Sequence, residues 1–259
     1  MRHTIYIPSK GRHDTCLTAE HLLKDNMDFR IVVEPQDGKL YIEKYGDDKV
    51  LVMTENNKGM AYVRNWIKRY SISRRESYHW QLDDNIKNFK RRVDGKNIKS
   101  TPSPLFIEIE EEVDKYTNIG IAGMRYDIFA FSYNSYTSNN KQISSCFLFN
   151  NELDIWWRPA LVEDTDYSLQ VLELKYCTLM FNTLLIEKAK TMSLKGGCTD
   201  SEYVGDGRAN NMRGLQAQWP GVFELVNKYG RTTIKPSRVW QKYKQEPKLK
   251  NSDSILEQL

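Results

Sequence analysis

The chain has 259 residues, 40% hydrophobic and 28% charged, with a formal net charge of +4. This composition describes a soluble globular protein of one large domain or two small ones, and a charge that small identifies no partner. No stretch approaches the roughly 20 apolar residues of a membrane helix, and Met1 to Thr4 leads straight into a strand-like segment without the apolar core of a secretion signal. A cytoplasmic enzyme or binding protein with no membrane partner is therefore expected. Cys16, Cys146, Cys177 and Cys198 form no closely spaced pair, and His3, His13, His21 and His79 cluster mostly near the start. That spacing argues against a zinc site and a disulfide framework, leaving oxygen ligands for any metal.

In chain order, residues 4–8, 29–33, 49–53 and 78–82 read as strands, and residues 14–24, 38–45 and 59–72 as helices. Strand-helix alternation of this kind implies an α/β fold, with a mainly parallel sheet flanked by helices on both faces. Asn56 to Gly59 forms a turn and helix start, followed by Met60, Val63, Ile67 and Tyr70 at helical spacing. Tyr78, Trp80 and Leu82 share one face of the fourth strand, which ends at Asp83-Asp84-Asn85. Two adjacent carboxylates at the end of a buried strand repel each other unless a cation or hydrogen bonds offset the cost. They either cap a turn or hold a metal, and Mg2+ or Mn2+ suits their oxygens. The position, at the carboxyl end of a strand, is where open α/β sheets place ligands.

A basic cluster, Lys87, Lys90, Arg91 and Arg92, follows at once. Residues 94–97 read as a turn and 104–116 as a helix. Residues 119–124, 128–133 and 143–149 read as strands, with a polar loop over 134–140. Glu163-Asp164-Thr165-Asp166 then opens a helix. These acids suit a general base or an anchor for an acceptor hydroxyl. The plainer reading is an N-cap by Asp164 or Thr165. Residues 176–181 form a further strand, and five glycines make 195–214 loop-rich. The stretch 231–250 carries many cations against a single acid, Glu246, with Trp240 and Tyr243 interleaved. That mixture suits phosphate contacts and base stacking, or simply a solvated tail.

Five segments in order resemble a known pattern: Ile7-Pro8-Ser9-Lys10-Gly11-Arg12, Val32-Val33-Glu34, Gly59-Met60-Ala61-Tyr62-Val63-Arg64-Asn65, Leu82-Asp83-Asp84-Asn85 and Glu163-Asp164-Thr165-Asp166-Tyr167. The series resembles a glycosyltransferase of the GT-A fold. With Lys195-Gly196-Gly197 and Gly205-Asp206-Gly207-Arg208 it is similar to the phage TET-associated glycosyltransferases, over about residues 4 to 220. The resemblance implies a GT-A-like single domain over 1–228, with a Rossmann-like nucleotide-sugar half (1–93), an acceptor half (94–228) and a basic extension (229–259).

It also implies a metal-dependent, inverting transfer of a sugar from a UDP-sugar to the hydroxymethyl group of a modified pyrimidine in DNA, inside a phage-infected host. Pro8, Ser9, Arg12, Glu34, Gly59, Arg64 and Asn65 would contact the donor. Asp83 and Asp84 would hold Mn2+ or Mg2+, with Asn85 a weaker ligand because the family motif usually ends in an acid there. Asp164 would be the base, with Glu163 or Asp166 as alternatives, and Asp166, Asp206 and Arg208 would face the acceptor. A glycan or protein acceptor, or a non-catalytic nucleic-acid binder whose acids are structural caps, are the competing expectations.

Overall fold

The computed structural model describes residues 1–132, 135–159, 161–189, 207–228, 231–236 and 242–250. The first half alternates strand and helix as its periodicity predicts: β1 (Ile5–Pro8), α1 (Leu17–Lys24), β2 (Phe29–Val33), α2 (Pro35–Tyr45), β3 (Val50–Val52), α3 (Met60–Ser73) and β4 (Tyr78–Leu82). It continues through β5 (Ile86–Val93), β6 (Lys96–Ser100), α4 (Pro102–Val113), β7 (Ile119–Tyr126), β8 (Thr137–Asn139), β9 (Cys146–Asn150), α5 (Glu163–Glu173) and β10 (Cys177–Lys188). α6 (Gly207–Gln218), β11 (Phe223–Lys228) and β12 (Arg231–Pro236) follow, the last two as a separate hairpin.

The main sheet runs β3-β2-β1-β4-β9-β7-β10-β5-β6, with β8 pairing β10 off this path. β1 pairs parallel with β2 and β4, β2 with β3, and β7 with β10. β9 lies antiparallel between β4 and β7, so β4 and β7 point the same way. The carboxyl ends of β1, β4, β7 and β10 therefore share one edge of the sheet. The start of β9 reaches that edge, and so does the start of β5, which runs antiparallel to β10. Side chains alternate across a strand, and β1 shows the consequence. Ile5 and Ile7 join the large core with Ala19, Leu22, Tyr41 and Phe106, while Tyr6 joins Val63 and Ile67 of α3 on the other face. Each fully buried Leu, Ile or Phe in these clusters contributes about 1.5–3 kcal/mol. Gly123 of β7 is a steric requirement, since a Cβ there would lie 2.2 Å from the Cys146 carbonyl oxygen.

The turn expected over 94–97 is present as the tip of the β5–β6 hairpin, whose cation-rich strands hide their alternation in the sequence. One expected element differs. Residues 128–133 were expected as a strand, but Asp127–Ser132 forms a 3₁₀ turn. Ile128, Phe129 and Phe131 are exposed there, so the apolar run does not mark a buried strand. Of the basic tail, residues 242–250 pack at the opposite edge of the sheet. Gln245 N donates to Asn140 Oδ1 and Lys248 N to Asn118 Oδ1, beside the start of β7. Among the described residues no helix is long and apolar enough to cross a membrane.

Candidate active site

Consecutive residues at a strand end face opposite ways, and Asp83 and Asp84 take separate sets of partners. Asp84 is buried. Its Oδ1 accepts from Arg12 Nη1 at 2.7 Å and its Oδ2 from Ser9 Oγ at 2.7 Å. Tyr41 Oη joins Ser9 Oγ at 2.7 Å and accepts from Arg12 N at 2.9 Å. Ser9 and Arg12, expected at the donor, thus form with Asp84 a buried knot that fixes the loop after β1. Burial raises the Asp84 carboxyl in spite of Arg12 and Ser9.

Asp83 sits in a different cluster. Its Oδ1 accepts from Arg64 Nη2 at 3.1 Å, and its Oδ2 from Lys188 Nζ at 2.5 Å and Ser145 Oγ at 2.7 Å. Burial works to raise this carboxyl, but Lys188 and Arg64 outweigh it and hold it far below the usual carboxylate range. Ser145, just before β9, adopts φ 64°. That left-handed conformation costs a non-glycine residue roughly 1–2 kcal/mol, and Ser145 O accepts Asp83 N at 2.8 Å in return. Tyr126 Oη, at the end of β7, lies 2.7 Å from Ser145 Oγ. Lys188, Ser145 and Tyr126 were not singled out in the sequence. The strand carrying Lys188 reads as ending at 181 because Asn182 and Thr183 interrupt its apolar run, and only the β7–β10–β5 pairing brings Lys188 beside Asp83.

Arg64 is the hinge of the site. Expected at the donor, it is 2% exposed and lies over the Phe147 ring. Its Nη2 faces Asp83 at 3.1 Å and Asp164 Oδ1 at 3.9 Å. The fold therefore brings together the two acidic segments that the sequence separates. Asp164 stands in the first turn of α5, whose N-cap residue is Val162 and which has no side-chain cap. The capping expected of Asp164 or Thr165 is not what these residues do. Burial pushes the Asp164 carboxyl up to about 6, with Asp83 adding to the rise and Arg64 and Lys188 opposing it. Its Oδ1 has no hydrogen-bond partner among the described residues. A buried oxygen without a partner costs about 1–3 kcal/mol, which is tolerated where a substrate supplies the partner.

α3 begins after Gly59, at φ 82°, and no side chain caps its free amides. Such a helix start attracts anions. A cavity of about 190 Å³ opens here, lined by Lys58, Gly59, Ala61, Arg158, Leu161 and Glu163 among others. The other donor residues are engaged. Glu34 accepts from Lys10, Gln36 and Asn57 N, tying β2 to the loop before α3. Pro8 ends β1 beside Val32. Asn65 spends both ends of its amide on the Trp157 backbone, which argues against its expected donor contact.

Asp166, expected at the acceptor, is fully buried and accepts from Arg158, Gln170 and Trp219 Nε1. Its oxygens are consumed in joining α5 to α6, a structural task. Asp206 lies outside the described residues, and Arg208 falls in the first turn of α6. Of the basic cluster after the site, Lys90 pairs with Asp127 and Glu187, and Arg91 with Glu108.

The expected metal must be weighed against these partners. Among the described residues no three His, Cys, Asp or Glu side chains gather to hold an ion. All four oxygens of Asp83 and Asp84 already accept from cations or hydroxyls, and the two carboxylates do not converge. A joint Asp83–Asp84 ligand pair does not match this geometry. A hard cation at Asp83 would have to displace the Lys188 ammonium from Oδ2 or the Arg64 guanidinium from Oδ1, so the side chains as placed do not fit the ion. Asn85 Oδ1, the expected weaker ligand, is buried without a hydrogen-bond partner among the described residues.

A sequence model of the family described as TET-associated glycosyltransferase matches residues 3–197. No curated protein matches significantly. Among solved structures, the chain is similar to A197 from STIV at 15% identity and TM-score 0.44, covering 73% of this chain and 86% of that one. A protein described as a nucleotide-diphospho-sugar transferase from Desulfovibrio desulfuricans G20 follows at 9% identity and TM-score 0.41, covering 69% and 79%. GalNAc-T7 with UDP, GalNAc and Mn2+ matches at 11% identity and TM-score 0.43, covering 72% of this chain and 42% of that one.

Proposed function

The chain belongs to the TET-associated glycosyltransferase family, and from that premise we propose that it transfers a sugar from a UDP-sugar to the hydroxymethyl group of a modified pyrimidine in DNA, with inversion. The observation that carries the proposal is the meeting of Asp83 and Asp164 at one nitrogen of the Arg64 guanidinium, Nη2, at the carboxyl edge of the sheet.

The donor's diphosphate lies against the amino end of α3 and beside Lys188, with its nucleoside end toward Glu34 and the loop after β1. From the chain itself, Lys188 and Arg64 offer positive charge where the leaving diphosphate gains negative charge. Asp164 receives the proton of the attacking hydroxyl as its oxygen bonds to the anomeric carbon and the sugar-phosphate bond breaks. A carboxyl raised to about 6 is ionised at neutral pH yet basic enough for this task. Glu163, one residue earlier and lining the cavity at the start of α3, is the alternative base. One displacement with one base inverts the anomeric centre.

The test is to incubate the protein with hydroxymethylated and unmodified DNA and a panel of nucleotide sugars, digest to nucleosides and weigh the products. A hexose or pentose increment only on the hydroxymethylated nucleoside supports the proposal. Sugar transferred equally to glycan or protein without nucleic acid would replace the acceptor.

A further inference from the structure

The 3₁₀ turn Asp127–Ser132 exposes three large apolar side chains in a row of four, Ile128 at 65%, Phe129 at 51% and Phe131 at 73%. Isolated exposed apolar residues need no explanation, but a contiguous group beside a functional site does. The turn leaves the carboxyl end of β7 and lies against the β5–β6 hairpin, where Lys90 Nζ meets Asp127 Oδ2 at 2.6 Å and Asn97 Nδ2 donates to Asp127 O at 3.1 Å. Cross-strand pairs share a face, so Lys90↔Lys99 and Arg92↔Asn97 place Arg92 and Lys99 on the turn's side of the hairpin. Lys90 is consumed by Asp127 and Glu187. Arg92 makes only a hydrogen bond to Asn97, and Lys99 is exposed; neither has an acidic partner among the described residues.

Aromatic faces and free cations on one surface match a nucleic-acid strand better than a protein, because bases stack on the rings while phosphates meet the cations. The patch also connects to the chemistry. The Phe129 ring meets Tyr126 at 6.4 Å, Tyr126 Oη lies 2.7 Å from Ser145 Oγ, and Ser145 Oγ donates to Asp83. We propose that the Asp127–Ser132 turn and the adjoining face of β5–β6 form a binding platform for single-stranded DNA, with bases stacked on Phe129 and Phe131 and phosphates at Arg92 and Lys99. It rests on the DNA reading of the acceptor and extends it: bases are free to stack only where the strand is unpaired, so the acceptor strand is engaged single-stranded or locally opened.

The experiment is fluorescence anisotropy of a fluorescein-labelled single-stranded oligonucleotide, and of its duplex, with UDP binding by calorimetry as a second readout. The wild type is expected to bind the single strand more tightly than the duplex. Phe131→Ala and Phe129→Ala should each weaken it about tenfold, and Lys99→Glu should weaken it and flatten its salt dependence. UDP binding should persist in all three, which also shows that they fold. Unchanged DNA affinity in the phenylalanine variants overturns the platform. Wild type that binds UDP but no DNA overturns the platform and the DNA acceptor, leaving sugar transfer intact. Wild type that binds DNA through these residues but no UDP leaves the platform and overturns the transferase proposal.

Discussion

Asp164→Asn separates catalysis from stability, because the same burial that makes Asp164 a base makes it a liability. Its carboxyl rises from the ordinary aspartate value to about 6, a shift of about two units, and one unit corresponds to about 1.4 kcal/mol. Between about pH 4 and 6 the native protein holds this proton more tightly than the unfolded chain does. The ionised group therefore costs stability in full above about pH 6, and the cost is recovered as pH falls through that window. With the side chain 19% exposed, solvent reduces the effect, and about 3 kcal/mol is its ceiling. Asparagine cannot ionise. The variant should be more stable than wild type at pH 8 by up to that amount, with the difference closing toward pH 4.

Transfer should fall about 10²- to 10⁴-fold, the usual contribution of a positioned base. Wild-type turnover should drop about tenfold per unit of pH below 6. Urea unfolding at pH 4, 6 and 8, with initial rates of UDP release, measures both. Turnover within twofold of wild type, or a stability difference that ignores pH, would refute the assignment.

Asp84→Ala should destabilise the protein by about 3–5 kcal/mol, since it strips the buried Arg12 of its carboxylate; thermal melts check this, and an unchanged melt would return Asp84 to a purely ligand-binding role. Lys188→Met should lower kcat about 10²-fold, the effect of losing one donor at developing charge, and should also lower the melting temperature, because it leaves the part-buried Asp83 carboxylate with Arg64 as its one cation among the described residues. A kcat for this variant equal to wild type, with and without chelator, would remove Lys188 from the reaction. Gly123→Ala should cost several kcal/mol because its Cβ would meet the Cys146 carbonyl at 2.2 Å; a variant with a wild-type melting temperature would show that β9 can shift to make room.

The first half of the fold was legible because Phe29–Val33 and Tyr78–Leu82 carry plain strand patterns and α3 carries a clean helical one. β5 was not, because Lys87, Lys90, Arg91 and Arg92 obscure a strand of which only one face is buried. The acids at 83 and 164 stood out as charges at element boundaries, and the structure does bring them to one guanidinium. What local pattern cannot show is which partner each carboxylate takes. Asp84 turns to Arg12 and Asp83 to Lys188 because adjacent strand residues face apart, and the second pairing depends on a β10–β5 register formed far along the chain. Asp166 looked equivalent to Asp164, yet their places on α5 send one into the α6 contact and the other to Arg64.

The central claim is that donor, cations and base meet at the carboxyl edge of the sheet. A crystal structure with bound UDP tests it most directly. The account predicts the diphosphate within contact of Lys188 and the amino end of α3, with Asp164 facing the open side of the anomeric position. A diphosphate seated elsewhere, such as against residues 242–250 at the opposite edge, would contradict it.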